Sequence, residues 1–126
     1  MNSKLLFATA FGALTPIVAL AAPATTVQKI NTVYDHSARG NAYFNKQLRA
    51  EMRQMGLKFV SSRNKADVSL DSWGQGTRDG GFKANMTLRD RAGRIVWRES
   101  VERPNGSRTM AFERLGDKLR AARKQG

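Results

Sequence analysis

Asp35-His36-Ser37 sets the three residue types of a nucleophilic triad side by side. In that chemistry a histidine takes the serine proton while a carboxylate orients the ring, and the three side chains must converge. Consecutive residues of an extended chain point apart, so the triplet cannot converge by itself. Asp35 or Ser37 is expected instead to cap the helix that follows, with His36 in a loop. Asp67 and Asp71 could act as acid and base, but four residues apart on one strand they stand about 13 Å from each other, beyond the separations glycosidases use. Gly74-Gln75-Gly76-Thr77-Arg78-Asp79-Gly80-Gly81 has the glycine content of a phosphate cradle. It lacks a Gly-Lys-Ser/Thr ending and opens into a strand where such a cradle needs a helix amino terminus. A chain with no cysteine and one histidine also excludes disulfide scaffolds, thiolate sites and most histidine-based metal sites. The expectation is a non-enzymatic protein with no catalytic residues, no metal and no cofactor.

Charge is the stronger signal. Among 126 residues there are 22 Lys or Arg against 10 Asp or Glu, a formal charge of +12. Cations interleaved with an exposed aromatic ring suit a polyanion: the charges attract phosphates or sulfates and release counterions, and the ring stacks on bases or sugars. The expected anion-binding residues are Lys83, Arg89, Arg94 and Arg98 on two strands, Arg78 in the adjoining glycine loop, and Trp73 on the preceding strand. Folding at Asp90-Arg91-Ala92-Gly93 is expected to bring Arg89 near Arg94 and Asn85 near Arg98. Further cations are spaced along two helices, Lys46, Arg49 and Arg53 on the first and Arg114, Lys118, Arg120, Arg123 and Lys124 on the last, where charge is ordinarily solvated. This spread favours diffuse electrostatic adhesion over sequence-specific readout.

These residues must be placed by one modest domain. Lys4 followed by the apolar run Leu5 to Leu20, with Ala19-Leu20-Ala21 at its end, reads as a signal peptide over 1–21. The run contains Pro16 and is shorter than a spanning helix wants, so no stable transmembrane segment is expected after processing. Loss of Lys4 would leave 22–126 with a charge of +11. The expected location is the periplasm or the cell exterior.

In 22–126, Val27 to Tyr34 reads as a first strand, and Phe44, Leu48, Met52 and Met55 recur at helical spacing until Gly56. Ala66, Val68 and Leu70 alternate with Asp67, Ser69 and Asp71, and Phe82, Ala84, Met86 and Leu88 alternate with Lys83, Asn85, Thr87 and Arg89. Across the Asp90 to Gly93 turn, Ile95, Trp97 and Val101 are expected on one face and Arg94, Val96, Arg98 and Ser100 on the other. Ser107 is positioned to cap a last helix with the stripe Phe112, Leu115, Leu119 and Ala122. The order strand, helix, strands, helix implies an α+β two-layer sandwich, a mostly antiparallel sheet with two helices on one face.

Met55-Gly56 ahead of the Ala66-Asp67 strand, and Asp90 to Gly93 ahead of a strand bearing Trp97, resemble small bacterial envelope domains: the amino-terminal domain of the Tol translocation protein and the periplasmic domain of curli-type secretion channels. The resemblance runs over roughly Val27 to Leu119. It implies an accessory or assembly role in the envelope through protein contacts, and it brings no catalytic residues. The leading expectation is an exported binding domain whose basic surface contacts an anionic polymer or envelope component. The alternative is an envelope protein partner, met through a sheet edge or the glycine loop.

Overall fold

The computed structural model describes residues 25–37 and 40–125; the expected signal peptide lies outside them. A five-stranded mixed sheet has the order β2-β1-β3-β4-β5, with β1 Thr32–Asp35, β2 Lys58–Phe59, β3 Val68–Gly76, β4 Phe82–Arg89 and β5 Ile95–Arg103. Two helices complete it, α1 Ala42–Gln54 between β1 and β2 and α2 Ala111–Lys124 after β5. The longer part, β3-β4-β5, is antiparallel, whereas β1 runs parallel to both of its neighbours. The chain is thus α+β. Among the described residues no helix is long and apolar enough to cross a membrane.

Period-two alternation builds the antiparallel half. Leu70↔Leu88, Ser72↔Met86 and Gly74↔Ala84 are register pairs of buried residues, while their strand neighbours Asp71, Asn85 and Lys83 are exposed. Phe44, Leu48 and Met52 of α1 and Leu115 and Leu119 of α2 join the buried strand residues in one core. Each fully buried Leu or Met contributes about 1.5–3 kcal/mol relative to exposure, so this shared core is what holds both helices to the sheet. Gly116 lets the helices approach, since a Cβ there would lie 2.9 Å from Glu51 Oε1, and Arg120 closes the contact with an ion pair to the same carboxylate at 2.8 Å.

Several sequence expectations are corrected. The first strand is shorter than Val27 to Tyr34, because Val27–Lys29 is a 3-10 turn held by Arg123, whose guanidinium donates to the Val27 and Ile30 carbonyls. The glycine loop is shorter too, since β3 continues through Gly76 in register with Phe82. A bulge between Leu88 and Arg89 sets Arg89 opposite Ile95 and Leu88 opposite Trp97. One extra residue inverts the alternation at the start of β5, so Ile95 is 38% exposed while Val96 packs on the core. Together with the turn, which pairs Arg89 with Ile95 and not with Arg94, it removes the expected cross-strand neighbours: Asn85 faces Ser100, and Arg98 faces Thr87.

The helix caps differ as well. Asn41, not Asp35 or Ser37, caps α1, its Oδ1 accepting from Phe44 N–H at 2.9 Å. At α2 the Glu113 carboxylate accepts from Met110 N–H at 2.8 Å, and Ser107 lies too far upstream to cap.

Candidate functional site

The catalytic triplet does not assemble. Asp35 turns toward α1, where Oδ2 meets Arg49 at 2.7 Å, so Arg49 is half-buried and tied down instead of free on an outer helix face. Ser37 Oγ accepts from Ser72 N–H and donates to Ser72 Oγ, which donates to buried Asn45 Oδ1, each at 2.9 Å. His36 is exposed, its ring near Tyr34. This serine and asparagine chain fastens the exit of β1 and the start of α1 to β3, a structural use of polar groups. Among the described residues no group of three His, Cys, Asp or Glu is placed to hold a metal ion.

The expected anion-binding residues separate into two ends of the outer sheet face. Trp73, Arg78 and Lys83 line one open depression of about 290 Å³ with Gln75 and Thr77. A second, of about 380 Å³, lies between Trp73, Lys83, Asn85, Ser100 and Glu102. Gly40 packs beside the indole: its φ of +86° favours glycine, and a Cβ there would stand 3.1 Å from Trp73 Cδ1. Charge is partly cancelled at this end. Glu102 lies 3.9 Å from Lys83, and Asp79 sits beside Arg78 with its carboxyl held below the ordinary value, first by the Thr77 hydroxyl and then by Gly81 N–H.

Arg89 and Arg94 lie at the opposite end, around the Asp90 to Gly93 turn. Arg89 donates to the Gly93 carbonyl at 3.0 Å, and Arg94 Nε donates to buried Asp90 Oδ2 at 3.1 Å. Arg98 stands between the two ends, in the row Asp71, Thr87, Arg98. The sequence reading missed what surrounds the turn. Arg91 Nε donates to the Ala66 carbonyl at 3.0 Å, which draws the turn against the 3-10 segment Arg63–Lys65, and the start of β1 adds Lys58 through the pair Thr32↔Lys58. Lys58, Arg63, Lys65 and Arg91 are exposed, and none forms a salt bridge among the described residues.

Both carboxylates at this basic end are engaged internally. Asp90 Oδ1 accepts from the N–H groups of Ala92 and Arg94 at 2.9 Å in addition to the Arg94 ion pair. Strand alternation sets Asp67 on the face away from Val68 and Leu70, yet it is engaged internally: its Oδ2 accepts from Asn31 N–H at 2.8 Å and Thr32 N–H at 3.1 Å. Burial alone would raise the Asp67 pKa, but these two donors, the Thr32 hydroxyl and the Arg91 charge outweigh it and hold the carboxyl below its ordinary 3.8.

A depressed folded-state pKa contributes stability above the unfolded value, and that contribution is lost as pH falls through the folded one. Asp67→Asn is therefore expected to lower stability by about 1–2 kcal/mol at neutral pH. The difference from wild type should narrow once pH falls below the ordinary carboxyl value of 3.8 and through the lower folded-state value, and denaturant melts across acid pH check it.

No family model matches the chain, and no curated protein matches it. Among solved structures it is similar to a minor lipoprotein from Acinetobacter baumannii, with 10% identity, 75% of this chain and 91% of that one covered, and a TM-score of 0.45. It is similar to the PelC dodecamer from Paraburkholderia phytofirmans at 13% identity, covering 81% and 90%, with a TM-score of 0.48. A DUF4136 family protein from Bacteroides thetaiotaomicron gives 11%, 81% and 90%, and 0.41. Neither the Tol translocation domain nor the curli-type channel domain is among these three. Likeness at this level carries no inference about binding or assembly.

Proposed function

We propose that the protein is an exported, non-enzymatic binding domain whose basic surface contacts an anionic polymer or envelope component. The contact centres on the turn end of the sheet. One observation carries the reading: Asp67 and Asp90 are occupied by backbone donors and by the charges of Arg91 and Arg94, leaving Lys58, Arg63 and Lys65 exposed without salt bridges among the described residues. Like charges held together on one surface concentrate the field and raise the local concentration of an anionic partner. Trp73, Arg78 and Lys83 form the far end of the same face, where neighbouring carboxylates weaken the attraction.

Export is read from 1–21, and the non-enzymatic reading rests on the dispersal of Asp35, His36 and Ser37 among structural partners. The test is a salt titration of the purified protein against duplex DNA, lipopolysaccharide and a sulfated polysaccharide. Affinity is expected to fall steeply and log-linearly with salt, and to rank the three ligands. Absent or salt-independent binding would overturn the reading.

A further inference from the structure

The two edges of the sheet are unlike. β2 is two residues long and carries exposed Lys58, and such a short, charged edge resists pairing. β5 is nine residues long, contains no proline, and among the described residues has β4 on one side and no strand on the other. Its core-facing Trp97 and Val101 remain only half-buried, whereas their register partners Leu88 and Ala84 are buried. Among the described residues no strand pairs the backbone groups of this edge; Ser100 N–H donates to its neighbour Glu99 Oε2 at 3.1 Å, an exposed bond that an incoming strand would replace. Such an edge, with incompletely covered apolar side chains, is a template for another strand.

We propose that β5 pairs antiparallel with β5 of a second copy about a two-fold axis at Ser100. Residues facing each other across such a pair must both turn their N–H and C=O groups inward or both turn them away, and this alternates along the strand. A symmetric pair therefore has its axis at a residue position, not between two. An axis at Arg98 or at Glu99 sets a charge against its own copy. An axis at Val101 shortens the paired stretch to 99–103 and sets Pro104 against Arg98. With the axis at Ser100, residues 97–103 pair: Arg98 faces Glu102 of the other copy twice, Glu99 faces Val101 twice, and Trp97 lies opposite Arg103, whose guanidinium is held by the Ser107 and Thr109 carbonyls.

The neighbouring strands extend the complementarity. On the outer face the row Asp71, Thr87, Arg98 continues into Glu102, Lys83, Gln75 of the second copy, so the Glu102 carboxylate lies between two cations. The bulge beside Ile95 and Val96 falls just outside the paired stretch, where it bends the strand start away. Both basic turn ends stay clear of the pairing.

Analytical ultracentrifugation of wild type, Arg98→Glu, Glu102→Arg and an equimolar mixture of the two variants tests this. Wild type is expected to dimerise. Either variant alone opposes like charges at two symmetric positions and should weaken the dimer by about tenfold or more. The mixture restores both opposite-charge pairs in a heterodimer and should recover wild-type association. Both substitutions are at exposed side chains, and circular dichroism verifies folding. A wild type that stays monomeric at the highest attainable concentration, variants that dimerise as well as wild type, or a mixture that stays monomeric would each overturn the proposal.

Discussion

Asp90→Ala is expected to cost about 3–5 kcal/mol of unfolding free energy, read as a lower urea midpoint at unchanged slope. The carboxylate is 1% exposed and accepts from two backbone N–H groups and from Arg94. Removing it leaves buried donors without their acceptor and frees the guanidinium that closes the turn. Asp90→Asn retains the shape and one acceptor, and it is expected to fall between wild type and alanine. The same turn carries Arg91 to the Ala66 carbonyl, so losing Asp90 loosens the basic end as well as the hairpin. A cost below about 1 kcal/mol would mean that the turn is set by its glycine and backbone alone.

The second large effect concerns binding. Replacing Lys58, Arg63 and Lys65 together by Gln is expected to reduce the salt slope of duplex DNA binding by about 2–3, since each phosphate neutralised contributes about 0.9. At low salt the affinity should fall by about tenfold or more, uniformly across DNA sequences. Thermal melts should remain close to wild type, because all three side chains are exposed. The Arg78→Gln, Lys83→Gln double variant is the counterpart at the other end. There Asp79 and Glu102 already offset the charge, and the loss should be smaller. Equal losses from the two variants would move the contact to the whole outer face.

Local pattern was enough for the helices and for the two long strands β3 and β4. Phe44, Leu48 and Met52 at helical spacing, and Phe82 to Arg89 at period two, leave little else for those segments to do. The parallel β1, inside the sheet between β2 and β3, was not legible, because strand order depends on which apolar faces meet after the chain crosses over, and four residues carry no mark of direction. The register at the turn and the bulge at Leu88 and Arg89 were also invisible: the turn pairs Arg89 with Ile95 and so turns Ile95 outward, and the bulge adds one more position of shift, so that Arg98 faces Thr87.

The candidate site was legible as charge but not as place. Lys58, Arg63, Lys65 and Arg91 belong to separate segments that only tertiary contacts unite, chiefly the Arg91 bond to Ala66 and the parallel pairing of β1 with β2 and β3. Asp67 reads in sequence as an outward strand residue because its acceptor role depends on Asn31 and Thr32, more than thirty positions earlier. A census of neighbouring carboxylates, which decides where the positive charge is left over, needs the register that the bulge sets.

The most direct test of the basic turn end as the anion contact is amide chemical-shift mapping of the protein titrated with a short sulfated oligosaccharide. Shifts are expected at Lys58, at 63–65 and at 91–94, with smaller ones at 78–83 and little at 46–53. Shifts spread evenly over every basic segment, or confined to the Trp73 indole and 78–83, would contradict a contact centred there.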